Sequence, residues 1–166
     1  MNKISTIGSL LKRIYRNYSN NLLEALTMCG FTDLRPSFLE VLLYVCEFEG
    51  PSIKEVGRAC GLKKQTMTSH LNELERRGYI QRKLSTRDKR EQNVYLTEYG
   101  EKFKLNLFEC VTEIEKNYVQ VLGEVELDRV QHLLKNFHQK VNSSRNNELP
   151  LSAGVLSTLI FWPGQN

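Results

Sequence analysis

Four cysteines, none arranged as CxxC, and three histidines without close spacing leave little from which to build a metal centre. His132 and His138 share a C-terminal helical stretch with acidic neighbours, but structural or solvated histidine is the expected role. Cys29, Cys46, Cys60 and Cys110 each lie on or beside an apolar stripe and are expected as small core residues. No Ser/His/Asp order, glycine-rich phosphate loop or paired-carboxylate motif points to catalysis, so neither an enzyme nor a cofactor is expected. No apolar stretch approaches the ~18 residues of a membrane span, and residues 1–9 hold no basic segment followed by an apolar run. A cytoplasmic chain without membrane attachment is expected.

Charge is present, and its distribution is uneven. Residues 51–100 hold 11 basic and 6 acidic side chains, whereas the remainder holds 12 and 13, so the whole-chain net of +4 conceals a local excess. Such a local excess is the footprint of a nucleic-acid-binding face rather than of a diffusely basic protein.

Its centre is residues 63–90, KKQTMTSHLNELERRGYIQRKLSTRDKR. Met67, Leu71 and Leu74 recur at helical spacing and predict one narrow buried stripe, with Gly78 as the stop. The other face shows Thr66, Thr68, Ser69 and Asn72, short side chains suited to base edges and phosphates. Lys63 and Lys64 stand where the positive end of the helix dipole disfavours cations, a sign that a polyanion reverses. Gln65 or Thr66 is available as a local cap. His70, on the same helix, is a weak candidate for phosphate contact.

A short helix over residues 52–62, ending at Gly61, precedes this one, and the pair predicts a helix-turn-helix. Residues 79–84 and 91–96 read as strands flanking a basic hairpin that carries Arg82, Lys83, Arg87, Lys89 and Arg90 around one acid, Asp88. An arginine in a narrow minor groove gains from its negative potential, provided that its flexible stem is restrained.

With Asp88-Lys89-Arg90 at the hairpin tip and Leu96-Thr97-Glu98-Tyr99-Gly100 leaving it, the chain resembles the multiple-antibiotic-resistance regulator (MarR) family over roughly residues 1–142. The resemblance implies a dimeric winged helix-turn-helix transcription factor in which Arg90 enters the minor groove, Asp88 holds its guanidinium, and residues 63–72 face the major groove. Ser69 stands where many members carry arginine, and Lys63 replaces the usual small cap, so base preference does not carry over. The family's peroxide-sensing branch resembles this chain less: residues 14–18 contain no cysteine.

Apolar residues at 4, 7, 11, 14, 18, 22, 25 and 29 predict a long first helix, roughly 39 Å at ~1.5 Å per residue, stopped by Gly30. Pro36 opens a second, very apolar helix to residue 48. Thr97 is a plausible N-cap for a helix reaching Gly123, and a last stripe runs from Leu127 to Val141. The expected fold is mainly α with a small β-hairpin wing. Residues 35–97 form the winged helix-turn-helix, and residues 1–34 with 98–142 form a helical dimerisation module. A polar linker and apolar tail over residues 143–166, with the single Trp162, are expected to pack across the dimer or beside the reader.

The function implied is a homodimeric, sequence-specific regulator, read as a repressor, of a pseudo-palindromic double-stranded DNA operator. A small-molecule effector could lodge near Tyr15, Tyr18 and Phe38, each of which also suits an ordinary core. A winged-helix protein-interaction module and a non-switching architectural DNA binder are the alternatives. The basic wing argues against the first.

Overall fold

In a computed structural model the described residues, 2–86 and 89–146 with side chains to 143, form six helices and one hairpin. The order is α1 (Lys3–Met28), α2 (Pro36–Glu47), α3 (Ile53–Ala59), α4 (Lys64–Arg76), β1 (Ile80–Leu84), β2 (Gln92–Leu96), α5 (Glu98–Leu122) and α6 (Glu124–Asn146). The expectations for Arg87, Asp88 and the apolar tail lie outside the described residues. The chain divides into two compact units, Met1–Asn117 and Tyr118–Asn166.

Pro36 fixes where α2 begins, since a first-turn proline forgoes only an N–H that the helix leaves unused. Phe38, Leu39, Val41, Leu42, Val45 and Cys46 are all buried, which makes α2 the centre of the first unit. Against it α4 lays the predicted stripe: Met67, Leu71 and Leu74 are at most 1% exposed. In α1 the buried residues are Ser19, Leu22 and Leu26, whereas Ile4, Ile7, Leu10 and Ile14 stand in solvent. The predicted stripe therefore slips at its end, from Ala25 to Leu26, and Cys29 is exposed rather than core.

The same hydrogen-bonded ending closes α1 and α4. Gly78, at φ 81°, donates to Glu75 O at 3.0 Å and Tyr79 donates to Leu74 O at 3.0 Å; Gly30 and Phe31 repeat the pattern with Thr27 and Leu26. The caps turn Phe31 and Tyr79 inward, where their rings lie 6.3 Å apart and Phe103 meets both edge-on.

β1 and β2 pair antiparallel with Ile80 opposite Leu96 and Leu84 opposite Gln92. The hairpin is tied down because Val94 N donates to Pro51 O at 2.9 Å and Asn93 Nδ2 donates to Gly50 O at 2.7 Å. Thr97 then caps α5: its Oγ1 accepts from Gly100 N at 3.0 Å while its hydroxyl donates to Gly78 O. α6 continues to Asn146, past the expected linker start at residue 143, because neither glycine nor proline intervenes before Pro150.

Gly100 lies so close to the residue before β1 that a Cβ there would stand 2.0 Å from Tyr79 O. Gly100→Ala should destabilise the fold by about 3 kcal/mol, the upper end of ordinary overpacking, with thermal melts as the check. An unchanged Tm would show that α5 does not seat against Tyr79 in this way.

Candidate nucleic-acid interface

The two helices of the helix-turn-helix begin in opposite styles. At α3, Ser52 Oγ accepts from Glu55 N at 3.2 Å while the Glu55 carboxylate accepts from Ser52 N at 2.7 Å, a complete capping box that also holds the Glu55 carboxyl below its usual range. At α4 the N-cap is Lys63, no side chain bonds to the cap, and no acid stands in the first turn. The expected local cap by Gln65 or Thr66 is not made; Thr68 instead donates to Lys64 O at 2.9 Å. The start of α4 thus presents unmade N–H groups with Lys63 and Lys64 beside them, an electropositive end open to an anion.

Lys63, Lys64, Gln65, Thr66, Thr68, Ser69 and Asn72 are all exposed, opposite the buried stripe of the same helix. Two grooves flank this face. One, of about 870 Å³, is lined by Lys64, Gln65, Thr68, Ser69 and Asn72 together with Arg35 and His70. The other, of about 660 Å³, lies between α3, the start of α4 and the wing, and its cationic lining is Lys54, Arg58, Lys64 and Arg90. The wing and the opening turn of α4, 26 positions apart, are therefore walls of one groove. Lys63 and Thr66 line neither groove, and Lys89 is exposed in the wing turn.

Lys54 and Arg58 are the residues that sequence reasoning missed. They contributed to the counted excess, but the short helix was read only for its apolar spacing and its glycine stop. Among the described residues none of Lys54, Arg58, Lys63 and Lys64 forms an ion pair within 4 Å.

Other cations of the segment serve the fold. Arg82 of β1 bonds Glu75 at 2.5 Å and Asn72 Oδ1 at 2.8 Å, so the wing strand grips the exposed face of α4. Arg76 and Arg77 both bond Glu73, at 2.6 and 2.7 Å, and hold its carboxyl at about 2, well below the usual range. Arg77 also donates to the Asp33 carbonyl, and Tyr79 Oη donates to Asp33 Oδ1 at 2.7 Å. His70 rests edge-on against Phe38 at 5.3 Å; burial and then the Arg35 charge push its pKa down, favouring neutral imidazole.

Tyr15, Tyr18 and Phe38 fall into two environments. Phe38 is buried beneath the groove of α4, with the Arg35 guanidinium over its ring at 4.4 Å. Tyr15 is half-exposed on α1; burial foremost, then Glu40, Tyr18 and Cys60, raise its pKa. Among the described residues no cluster of three or more His, Cys, Asp or Glu could hold a metal, and no helix is long and apolar enough to cross a membrane.

The MarR family profile matches residues 32–91, which span α2 to the wing. The chain is 29% identical over 130 residues to the HTH-type transcriptional regulator SarZ of Staphylococcus aureus, covering 78% of this chain and 81% of SarZ. Among solved structures it is similar to CouR of Rhodococcus jostii RHA1 bound to p-coumaroyl-CoA, at TM-score 0.63 and 25% identity over 79% of this chain and 90% of that one. A CouR repressor bound to a 23-mer DNA duplex superposes at TM-score 0.68 and 24% identity, covering 83% and 96%.

The Glu73 and Glu75 pairs carry a pH signature. Arg76 and Arg77 lower the folded-state pKa of Glu73 to about 2, and Arg82 lowers that of Glu75. Their stabilisation is therefore complete above the unfolded carboxylate pKa of ~4.3 and disappears as pH falls towards 2. Thermal melts should show Tm falling across that window, and Glu73→Gln should flatten the fall. Parallel curves for the two proteins would refute the assignment.

Proposed function

We propose that this chain, which belongs to the MarR family of transcriptional regulators, acts as a cytoplasmic homodimer that holds a pseudo-palindromic DNA operator and represses from it. The observation that carries this reading is the groove whose walls bring Lys54, Arg58, Lys64 and Arg90 together. Cations lining one groove gain from phosphate contact and counterion release. Lys63 and Lys64 take backbone phosphates. Gln65, Thr66, Thr68, Ser69 and Asn72 face the major groove, and Arg90 enters the minor groove with Lys89 in the same wing turn. No catalysis belongs to this role.

Exposed apolar side chains in each unit support the dimer. Ile4, Ile7, Leu10 and Ile14 line one face of α1, and Val130, Leu133, Leu134, Phe137 and Val141 recur along α6, where no described side chain is buried. Residues 1–34 and 98–142 supply the dimerisation module, and twofold symmetry doubles the operator contacts. The ligand in CouR supports control by a small molecule. Tyr15 and Tyr18 on α1, and Phe38 beneath α4, are candidates to sense it. Whatever the effector, operator and effector must weaken each other equally.

Selection of genomic fragments on the purified protein tests the role: selective enrichment supports it, sequence-blind retention or none refutes it. On an enriched fragment, Lys63→Ser with Lys64→Ala should make the slope of log affinity against log salt shallower by about 2, at ~0.9 per phosphate, without loss of Tm. An unaltered slope would make both lysines bystanders. Arg90→Ala should weaken binding roughly 10-fold, and wild-type affinity would remove the wing from the interface.

A further inference from the structure

An asparagine amide carries an acceptor oxygen and two N–H donors, and it reads adenine in the major groove only with both ends free. Its Oδ1 then accepts from the adenine amino group while its Nδ2 donates to N7. Asn72 is exposed on α4 and lines the larger groove with Thr68 and Ser69. Its Oδ1, however, already accepts from Arg82 Nη2 at 2.8 Å. A guanidinium can only donate, so the end of the amide that meets it must be the oxygen. The Nδ2 of Asn72 bonds no described residue.

Arg82 is itself held firmly. Glu75, three positions beyond Asn72 on α4, accepts from Arg82 Nε at 3.1 Å, from Nη2 at 2.5 Å and from the Arg82 backbone N at 2.9 Å. The Arg82 side chain is only 20% exposed, which keeps water from competing for these bonds. A neutral amino group on a base donates a weaker bond than a guanidinium does, so an adenine does not displace Arg82 from Asn72.

We propose that Arg82 is a positioning residue that makes Asn72 a donor-only contact, one that takes a hydrogen-bond acceptor of the duplex and does not read adenine. That acceptor is either a base atom (purine N7, guanine O6 or thymine O4) or a phosphate oxygen. At a base, the choice narrows to the refusal of cytosine, whose major-groove edge offers a donor. This contact rests on the DNA-binding reading; the clamp of Arg82 on Asn72 and Glu75 does not.

The clamp is tested in the free full-length protein by nitrogen-15 NMR. The Arg82 Nε–H should exchange with water roughly 10-fold more slowly than that of exposed Arg58, and equal exchange would overturn the clamp. The contact is tested on a fragment selected by the wild-type protein. Asn72→Ala should weaken binding about 5-fold, the worth of one net hydrogen bond. Removing the acceptor from the DNA should cancel that loss. Cancellation by a 7-deazapurine, by 2-aminopurine at a guanine or by 5-methyl-2-pyrimidinone at a thymine identifies a base, and cancellation by a methylphosphonate identifies a phosphate. Purine deoxyriboside in place of adenine, which lacks only the amino group, should leave the loss intact. Cancellation by purine deoxyriboside, cancellation by none of the probes, or wild-type affinity of Asn72→Ala would overturn the donor-only contact.

Arg82→Met should weaken binding in the wild-type background and cost nothing further in Asn72→Ala. An equal cost in both would make Arg82 a structural residue and overturn its positioning role. The NMR measurement and the Asn72→Ala series need no change at Arg82, so they decide the assignment even where Arg82→Met fails to fold. Absence of any selected fragment would instead sink the DNA reading and this contact with it, while the exchange result still judges the clamp.

Discussion

Tyr79 is the fixed point of the first unit. Its ring is fully buried and meets Phe31, Tyr99 and Phe103 at centroid distances of 5.0 to 6.3 Å. Its hydroxyl donates to Asp33, and its carbonyl accepts from Thr97 N at 3.1 Å. Each well-placed aromatic pair adds about 0.5–1.5 kcal/mol beyond area burial, more than an exposed ion pair supplies. One residue thereby joins the loop after α1, the end of α4, the start of β1 and the cap of α5. The motif Leu96-Thr97-Glu98-Tyr99-Gly100 is the other half of this joint: Thr97 bonds it, Tyr99 packs against it at a tilt of 58°, and Gly100 leaves room for it.

Away from this joint, the helix starts are capped unevenly: α1 and α2 begin without a side-chain cap or a first-turn acid, α2 behind Arg35. The segment provides α3 with a full capping box, yet opens α4 with two lysines, no acid and no cap. A helix start of this kind loses about 1 kcal/mol to a missing cap and more to the dipole. The acids of the same helix lie at its other end and are engaged there: Glu73 with Arg76 and Arg77, and Glu75 with Arg82. Two successive lysines at the opening distinguish α4 from the other uncapped helices. The division of labour is by position. Cations at the end of α4 and along β1 hold the fold, and those at its start and across the α3 groove face solvent.

Periodicity and turn chemistry made the helices, the hairpin and the stripe of Met67, Leu71 and Leu74 legible from the residues alone, because each depends on neighbours within a few positions. What escaped depends on the chain folding back. Lys54 and Arg58 become part of a cationic groove only when the wing lies across from α3. Asn72, read as a side chain free to meet a base, is partly engaged by Arg82 from ten positions away, which no helical pattern reveals. The cysteines read as small core residues singly, and only the return of α5 to the end of α1 brings the sulfurs of Cys29 and Cys110 to 3.9 Å. In α1 the stripe marked an apolar face correctly but could not say which turns would find a partner within the same unit.

The joint also limits how this fold can switch. Exposed side chains lining the two grooves, such as Lys54, Lys64, Gln65 and Thr68, can change rotamer without disturbing the buried stripe. A change that reaches every contact at once must move α4 as a body. Its buried stripe is packed on α2, where sliding would open cavities at a cost of several kcal/mol. Its C-terminal end is held differently, by hydrogen bonds and ion pairs to Asp33 on the short connection between α1 and α2, where small tilts exchange one polar geometry for another. Anything that displaces the end of α1 therefore acts on the reader through Asp33 and Tyr79, with Gly100 limiting travel on the far side.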